Sequence, residues 1–495
     1  MTVFPIWIKE KKLNMVEQKI NQKITISPVT RIEGHAKITL QLNDRGEVQA
    51  ARFHVNEFRG FEKFCEGRLY TEMPSITPRI CGICPVSHAI SSAKACEMIM
   101  RVQVPYPGHL LRRLVHLGQI ISSHALSFFH LSSPDMLLGW DYDPAKRNII
   151  GIAEKFPDVA KRGIRLRKFG QEISERLTGK KVHAMGIVAG GFGYPLAEEQ
   201  RQTLLNWIPE ALETTKIGLD IYKKYYDQHA QEVDSFANFE TLHLGLIGPN
   251  GEHELYDGNL RMVDGSGTIV GEQLKSENYL DFIAERPVKW SYLKYPYYKP
   301  FGFPDGFYRV GPLARLNVAS KMRTPSAQEE FKNFKALGNG RPVHGSFYFH
   351  YARLIETLTC IELAKEILND PQILSYEIQA FAQRNQTEGI GCSEAPRGTL
   401  FHHYTTDENG VLIKVNLLIA TGQNNPAMNR SVLEVAKQYV NGKDVREGAL
   451  NRVEAAIRCY DPCLSCSTHA VGTMPLIIEI QDCRGEVLNV IKRGG

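Results

Sequence analysis

Two cysteine pairs near opposite ends of the chain constrain its fold more than any other feature. Cys81 and Cys84 form the first pair, Cys463 and Cys466 form the second, and a histidine follows each pair closely. A tight turn lets both sulfurs of such a pair face one metal ion, and two pairs complete a set of four sulfur ligands. The pattern therefore predicts a fold that brings both ends of the chain to one metal site.

The spacing of the pairs favours a catalytic metal over a structural one. Structural zinc modules hold their pairs about 15–20 residues apart, because the ion organises a small module. Here almost the whole chain lies between the pairs, and 495 residues bury enough surface to fold without an ion. A zinc-bound scaffold and a redox dithiol are the alternatives. A thioredoxin-like dithiol explains only one pair and needs a βαβ frame that the sequence does not show.

The composition is that of an ordinary globular protein. With 43% hydrophobic and 23% charged residues, the chain is not disordered, collagen-like or coiled-coil. A net charge of +5 is too dilute to indicate nucleic-acid binding. No apolar segment reaches the roughly 18 residues of a membrane span, and residues 4–8 are too short an apolar patch for a secretory signal. These features predict a cytoplasmic protein, unless a signal-bearing partner exports it.

The remaining cysteines carry no spacing signal. A long chain without a secretory signal does not use cysteines as a disulfide framework. We interpret them as small packing residues; they are Cys65, Cys96, Cys360, Cys392, Cys459 and Cys483.

Hydrophobic periodicity predicts an α+β fold that is mainly α. A large helical core, or bundle, receives β-strands and hairpins from the N- and C-terminal regions. Helices are predicted at residues 86–102, 109–131, 198–233, 347–368 and 432–459. Strands are predicted at residues 23–27, 35–42, 48–55 and 411–420, with a hairpin at 476–480 and 487–491. The Gly-, Pro- and Tyr-rich region 240–325 predicts loops and short strands over the helical core.

Five sequence blocks together carry a family resemblance. They are residues 29–35 (VTRIEGH), 57–62 (EFRGFE), 79–88 (RICGICPVSH), 393–398 (SEAPRG) and 461–469 (DPCLSCSTH). In this order the blocks resemble the large, catalytic subunit of the NiFe hydrogenases, and most of all the soluble bidirectional NAD-linked type. The resemblance runs from about residue 23 to the C-terminal end.

The resemblance implies a nickel–iron centre. Cys81, Cys84, Cys463 and Cys466 would hold nickel, and Cys84 and Cys466 would also bridge to an iron that carries carbon monoxide and cyanide. Soft thiolates suit both metals. Cys81 and Cys463 would bind nickel alone, and the nickel would keep a coordination position open for substrate. The implied activity is reversible heterolytic cleavage of dihydrogen to protons and electrons.

The resemblance also implies roles for the residues around the metals. The thiolate of Cys463 would take the proton, and Glu33 would be the next carboxylate in the relay. Arg397 would lie over the open side of the two metals. It is too basic to carry protons, so it would act electrostatically or position the substrate and the cyanide on iron. Asp461 could pair with it, and His88 would hydrogen-bond beside the bridging cysteine of the first pair.

A separate hard cation is implied next to this centre. Glu57 and His469 would bind magnesium between the N-terminal strands and the mature C-terminus. Without the resemblance, these residues would have ordinary structural roles: a surface salt bridge for Arg397 or Asp461, and a capped turn for Glu33.

One position departs from the family pattern. Ser123 aligns with an aspartate of membrane-bound relatives, so the group of arginine and aspartate side chains over the metals would be incomplete here.

The resemblance divides the chain into three parts. Residues 1–22 would be an N-terminal extension, with Met15 as an alternative start. Residues 23–469 would form a single catalytic unit. Residues 470–495 would be a propeptide, which a maturation endopeptidase removes after His469 once nickel is in place. The uncut tail would occupy the region where His469 must settle, so the precursor would be inactive.

The implied enzyme needs partners. The chain has no third cysteine cluster for electron relay and no GxGxxG fingerprint for a nicotinamide cofactor. The resemblance implies a small subunit with an iron–sulfur cluster, diaphorase subunits with FMN and iron–sulfur clusters that reduce NAD or NADP, and nickel-insertion proteins. A regulatory hydrogen sensor with the same metal site is the alternative function. A structural or assembly role is disfavoured because all four cysteines are present.

Overall fold

The computed structural model describes residues 22–183, 185–442, 444–468, 476–481 and 486–493. Within these residues the fold is α+β and mainly helical, as the sequence predicts. The helices are α1 (Phe61–Cys65), α2 (Met73–Ile76), α3 (Pro85–Met100), α4 (Tyr106–Ala125), α5 (Ser133–Leu137), α6 (Ile149–Lys155), α7 (Pro157–Thr178), α8 (Glu198–Ser235), α9 (Tyr279–Phe282), α10 (Pro312–Val318), α11 (Pro325–Ala336), α12 (Tyr348–Asn369), α13 (Ala420–Tyr439), α14 (Glu447–Arg458) and α15 (Leu464–Ser467).

The strands belong to several small sheets. They are β1 (Gln22–Ile26), β2 (Lys37–Leu42), β3 (Val48–His54), β4 (Ile187–Val188), β5 (Gly191–Phe192), β6 (Leu242–Ile247), β7 (Asn259–Val263), β8 (Ile269–Leu274), β9 (Ile283–Val288), β10 (Ser291–Tyr298), β11 (Tyr308–Arg309), β12 (Glu388–Ala395), β13 (Gly398–Thr406), β14 (Leu412–Leu418), β15 (Leu476–Gln481) and β16 (Val487–Arg493). The main sheets have the strand orders β1-β2-β3, β11-β6-β7-β8 and β12-β13-β14.

The helical core consists of α4, α7, α8 and α12, which pack against one another. The leucines of α4 recur at helical spacing, and the helix is buried on nearly all sides, so it lies in the centre of the core. A π-helical turn, Leu126–Ser132, continues α4 to the end of the predicted helix. The helices α6 and α7 were not predicted from the sequence. In α7 the charged residues outnumber the apolar ones, which form only a narrow stripe along the helix.

The middle of the chain holds more strands than were predicted one by one. Strands β6 to β14 all lie between residues 242 and 418. Residues 240–325 do contain the predicted loops and short strands. They also bury an apolar cluster of their own, which includes Leu244 and Met262 and reaches Phe401 on β13. The single helix predicted at 432–459 is in fact two helices, α13 and α14.

Close packing of α3 against β12 positions the functional site. A Cβ atom on Gly391 would lie 1.8 Å from the Ser91 carbonyl oxygen, and one on Gly389 would lie 2.1 Å from that of Ala95. Only glycine permits this approach of a helix to a sheet. As a result, the turn between β12 and β13 lies beside the N-terminal end of α3.

The terminal regions behave partly as predicted. The antiparallel sheet β1-β2-β3 matches the three predicted N-terminal strands, and β15 and β16 form the predicted hairpin. The proposed N-terminal extension lies outside the described residues apart from residue 22. In the described part of the chain, every helix is too short or too polar to cross a bilayer.

Candidate metal centre

The first cysteine pair lies at the N-terminal end of α3. A 3₁₀ turn, Thr77–Ile80, ends at Cys81, and Cys84 is the N-cap residue of α3, followed by Pro85 at the first helical position. Proline suits this position because its fixed φ fits the helix and it lacks an N–H. The helix dipole and the Ile83 N–H, 3.2 Å from the Cys81 sulfur, both favour thiolates here.

The second pair lies on the short helix α15. Cys463 is its N-cap residue and Cys466 lies within its single turn. The backbone N–H of Cys463 donates to the hydroxyl oxygen of Thr421 at 2.9 Å. Glu33 pairs in parallel with Cys463 in an isolated β-bridge, which places the N-terminal segment against the second pair.

The four sulfurs form one compact set. Their atoms all lie within 4.8 Å of one another, and all four residues are buried. The sulfurs of Cys81 and Cys463 are 3.3 Å apart, as are those of Cys84 and Cys466, whereas those of Cys463 and Cys466 are 2.8 Å apart. The fold therefore brings together the two pairs that the sequence singles out.

The protonation of this set fits a bound cation. Hydrogen bonds from the other three thiols hold the pKa of Cys81 well below its usual value. Burial raises the pKa of Cys463 and of Cys466. Without a cation, the set therefore favours a single thiolate that accepts hydrogen bonds from the neighbouring thiols. If all four sulfurs are thiolates, a metal ion is needed to neutralise their charge. Four soft donors at this separation suit nickel, zinc or iron.

His88 contacts the second cysteine pair. Its Nε2 lies 3.4 Å from the sulfur of Cys466, and its Nδ1 lies 3.0 Å from Nε2 of His402. The side chain reaches across the site from the first turn of α3. Its predicted hydrogen bond beside Cys84 stays a prediction.

Arg397 and Asp461 form a buried pair over the sulfurs. Arg397 Nη2 lies 3.1 Å from Asp461 Oδ2, and Arg397 Nε donates to the Asp461 backbone carbonyl. Burial raises the pKa of Asp461, although Arg397 opposes that shift. Burial alone would lower the pKa of Arg397, but Asp461 and the nearby sulfurs outweigh it and raise that pKa.

A small cavity lies beside Arg397 and three of the four cysteines, Cys84, Cys463 and Cys466. Arg397 lines it, and Arg397 Nη1 is buried without a hydrogen-bond partner among the described residues. The apolar part of its lining consists of Ala395, Leu400, Ile419 and Ala420. A guanidinium N–H without a partner next to an apolar wall fits small ligands that accept hydrogen bonds.

Glu33 is half-buried and lies next to the second pair. Its carboxylate accepts hydrogen bonds from the Ser465 hydroxyl and from the Ser465 backbone N–H, the latter at 3.1 Å. The Leu464 N–H donates to the Glu33 carbonyl at 3.3 Å. The neighbouring Gly34 has φ +85°, and a Cβ there would lie 2.7 Å from that of Leu464. Glycine is thus required for this approach.

Glu57 lies close to the end of the second cysteine block. Its carboxylate is 2.8 Å from His35 Nδ1, and both side chains are exposed. The adjacent N–H groups of Arg59 and Gly60 donate to the Thr468 carbonyl. His469, the other predicted magnesium ligand, lies outside the described residues, as does Cys483.

Ser123 is buried on α4, and its hydroxyl has no partner among the described residues. It lines a separate cavity next to Gly82 and Ile83. The other cysteines in the described residues are buried, and burial raises the pKa of Cys65, Cys96, Cys360, Cys392 and Cys459.

Sequence analysis missed a buried charge cluster behind Arg397. Arg315 pairs with Glu356 at 2.6 Å and with Glu394 at 2.8 Å, and it donates to the Ala395 carbonyl at 3.0 Å. These bonds hold the turn between β12 and β13. Glu394 lies inside one of the five blocks, but no local pattern marks Arg315 or Glu356.

The fold matches solved hydrogenase structures. The crystal structure of an NAD⁺-reducing NiFe-hydrogenase in its H₂-reduced state superposes with a TM-score of 0.89 at 40% identity, covering 91% of this chain and all of that chain. The reduced NiFeSe hydrogenase of D. vulgaris Hildenborough gives a TM-score of 0.74 at 22% identity, covering 90% of this chain and all of that chain. The second match supports the fold alone.

Sequence comparison gives the same result. The chain is 41% identical to the NAD-reducing hydrogenase HoxS subunit beta of Cupriavidus necator, over 95% of this chain and 99% of that protein. It is 42% identical to one chain of the F420-non-reducing hydrogenase vhc of Methanococcus voltae, over 94% of this chain and 98% of that protein. A HoxL-like family model matches residues 23–58, and the nickel-dependent hydrogenase model matches residues 59–150 and 252–469. The chain therefore belongs to the nickel-dependent hydrogenase family, as a catalytic large subunit.

Proposed function

We propose that this protein catalyses reversible heterolytic cleavage of dihydrogen and passes the electrons, through iron–sulfur partners, to NAD or NADP. One observation carries the proposal: four buried sulfurs within 4.8 Å of one another beside a cavity that Arg397 lines. When bound, a nickel–iron centre supplies the Lewis acid and the electron acceptor that this reaction needs.

The four cysteines would hold that centre. Cys81, Cys84, Cys463 and Cys466 would hold the nickel, and Cys84 and Cys466 would also hold the iron. The apolar wall of the cavity, with the Arg397 Nη1 group beside it, supports carbon monoxide and cyanide as ligands of that iron. Carbon monoxide is apolar, whereas cyanide accepts a hydrogen bond.

Proton transfer would begin at Cys463 and continue to Glu33. The backbone pairing of these two residues supports the order, because it keeps the Glu33 carboxylate next to the second pair. Ser465 orients that carboxylate through two hydrogen bonds. Arg397 acts electrostatically, since its raised pKa excludes proton release. Asp461 holds the guanidinium in place.

A magnesium ion would bind Glu57 and His469. The exposed Glu57 carboxylate supports this site. The nearby backbone of Arg59 and Gly60 supports it too, because it binds the carbonyl of Thr468, the residue before His469. Hard oxygen ligands suit Mg²⁺, which usually keeps several waters.

The electron route would lead to other subunits. In the described residues the four active-site cysteines are the metal-binding group, so an iron–sulfur relay belongs to a small subunit. Similarity to a subunit of the NAD-reducing hydrogenase HoxS supports partner subunits with a nicotinamide site. Those partners would be diaphorase subunits that carry FMN and iron–sulfur clusters. The cytoplasm, where NAD and NADP are reduced, is the proposed location.

Maturation would end at His469. An endopeptidase removes residues 470–495 after nickel-insertion proteins have filled the site. Mass spectrometry of the active enzyme checks this step, and the expected C-terminal residue is His469. An active protein that still carries residues 470–495 contradicts it.

The proposed function is tested by metal analysis of the complex purified from its own host, followed by hydrogen-uptake assays. We expect a single nickel per chain, iron in excess, and hydrogen-dependent reduction of NAD or NADP. Zinc without nickel in a processed chain would refute the catalytic assignment. Full nickel content with very slow turnover would support the hydrogen sensor instead.

A further inference from the structure

A buried cluster of charges joins the two chain segments that meet at the second cysteine pair. Its centre is Asp135 on α5, which accepts hydrogen bonds from three arginines. Arg31 Nη2 lies 2.5 Å from Asp135 Oδ1, and Arg458 Nε lies 3.0 Å from Oδ2. Arg147 Nη2 also donates to Oδ1. Burial alone would raise the pKa of Asp135, but the three arginines outweigh it and lower that pKa to about 2, so the group is a carboxylate.

Two of these arginines belong to the segments that carry Glu33 and Cys463. Arg31 lies two residues before Glu33. Arg458 ends α14 and lies five residues before Cys463. Asp135 therefore binds both segments just ahead of the β-bridge that pairs Glu33 with Cys463.

The backbone that carries Glu33 needs such an anchor. Residues 27–36 form an irregular connection between β1 and β2. Within it Arg31 has φ +55°, a left-handed conformation that is unfavourable for a residue with a side chain, so contacts must hold it. The Arg31 guanidinium makes these contacts, since Nη2 donates to Asp135 and Nη1 donates to the Leu131 carbonyl at 2.5 Å.

We propose that Asp135 and Arg31 are positioning residues that hold Glu33 in the proton relay. This inference rests on the proposed function, in which Glu33 accepts the proton from Cys463. Asp135 anchors the Arg31 guanidinium through a charge-assisted hydrogen bond, and Arg31 in turn fixes the backbone that carries the Glu33 carboxylate. Proton transfer needs its donor and acceptor within hydrogen-bond reach, so a small displacement of that carboxylate interrupts the relay.

The test is the Arg31→Met variant of the complete, metal-loaded complex under hydrogen. Two measurements are made: infrared spectroscopy of carboxyl groups, and hydrogen uptake in H₂O and in D₂O. In the wild type, the C=O stretching band of the protonated Glu33 carboxyl is the band that Glu33→Gln abolishes. We expect Arg31→Met to move this band to higher frequency at unchanged nickel content, because the hydrogen bonds from Ser465 weaken. Uptake should fall by about 10- to 100-fold, and its solvent isotope effect should rise because proton transfer then limits the rate.

The matched control is Arg147→Met. Arg147 also donates to Asp135 Oδ1, and its Nε donates to the Gly139 carbonyl at 2.9 Å, so its loss removes the same kinds of bond. Arg147 lies outside both segments that meet at the second pair. Its variant should lose stability in denaturant unfolding but keep the wild-type carboxyl band and isotope effect.

The Asp135→Asn variant removes the shared acceptor and should shift the Glu33 band as Arg31→Met does. It leaves buried arginines without their carboxylate, which is strongly destabilising. Arg31→Met leaves Asp135 paired with two arginines, so it decides the question if Asp135→Asn does not fold.

The outcomes separate this inference from the proposed function. A wild-type complex whose carboxyl bands all persist in Glu33→Gln refutes the proposed relay and, with it, this inference. A Glu33 band or an isotope effect that stays at the wild-type value in Arg31→Met overturns only the positioning role. A band that also shifts in Arg147→Met overturns that role as well, because any loss of stability in the cluster would then explain the effect.

Discussion

The two cysteine pairs contribute equally to the sulfur set, but the chain holds them in different ways. The first pair is fixed by α3, a 16-residue helix whose Val86 and Ser87 N–H groups donate to Gln119 Oε1 at 2.6 and 3.2 Å. The second pair lies on α15, which has only four residues. A helix of one turn is not stable alone.

The second pair therefore depends on contacts from residues distant in sequence. Glu33 accepts hydrogen bonds from Ser465, and Thr421 accepts one from Cys463. Gly34 allows the backbone to approach Leu464. The first pair is therefore preorganised by its own helix, whereas the second pair is held in place by contacts with residues distant in sequence.

The largest effect should be the same for both pairs. Cys84→Ser and Cys466→Ser should each abolish nickel binding and hydrogen uptake, because each sulfur belongs to one four-ligand set. Metal analysis of the purified complex measures this. Cys65→Ala, at a buried cysteine outside the set, should keep its nickel. Nickel retained by either serine variant would break the single-site interpretation.

The Glu33→Gln variant separates two roles of Glu33: holding the second pair in place and relaying protons. Glutamine still accepts a hydrogen bond from Ser465 but cannot relay protons. We expect normal nickel content and a loss of hydrogen uptake of about 100-fold or more. Uptake with an artificial electron acceptor is the measurement. Wild-type turnover in this variant would remove Glu33 from the relay.

A glycine substitution should distinguish the two pairs directly. Gly34→Ala forces a residue at φ +85° against Leu464, so we expect it to lower the free energy of unfolding by about 2–5 kcal/mol and to reduce nickel content. Gly82→Ala is the matched substitution in the first pair, where a Cβ meets nothing within 4 Å. Denaturant unfolding and metal analysis measure both. Equal losses in the two variants would contradict the proposed difference.

The smallest effect is expected for Thr421→Val. This nearly isosteric change leaves the buried Cys463 N–H without its acceptor, at a cost of about 1–3 kcal/mol. Denaturant unfolding is the measurement. Thr25→Val, at an exposed threonine of β1, is the control and should stay close to wild type. An unchanged stability for Thr421→Val would show that α15 is held by other contacts.

Local patterns in the sequence predicted the parts of the fold that are locally determined. The strands β1 to β3, the helices α3, α4, α8 and α12, and the β15–β16 hairpin all follow period-2 or period-3.6 patterns. The strands β12 and β13 were missed because their residues are buried on both faces and do not alternate. Burial of this kind arises from the packing of α3 and of the middle sheet, which no local window contains.

The candidate site shows the same limit. The two CxxC motifs marked the sulfur set, and the five blocks marked Glu33, Arg397 and Asp461. Nothing local marked His402 or the Arg315 cluster, since each acts through partners distant in sequence. The sequence also could not show that His88 contacts Cys466.

The separation of the two pairs along the chain also orders the events of biosynthesis. Cys81 and Cys463 lie 382 positions apart, so at ribosomal rates about 20–80 seconds pass between their synthesis. During that interval the first pair is a two-sulfur chelate that the second pair has not yet closed. Two sulfurs alone do not select nickel, so the first pair would bind the first thiophilic ion that it meets, and zinc binds thiolates well. Correct metallation therefore depends on protection of the nascent chain as much as on the finished ligand set.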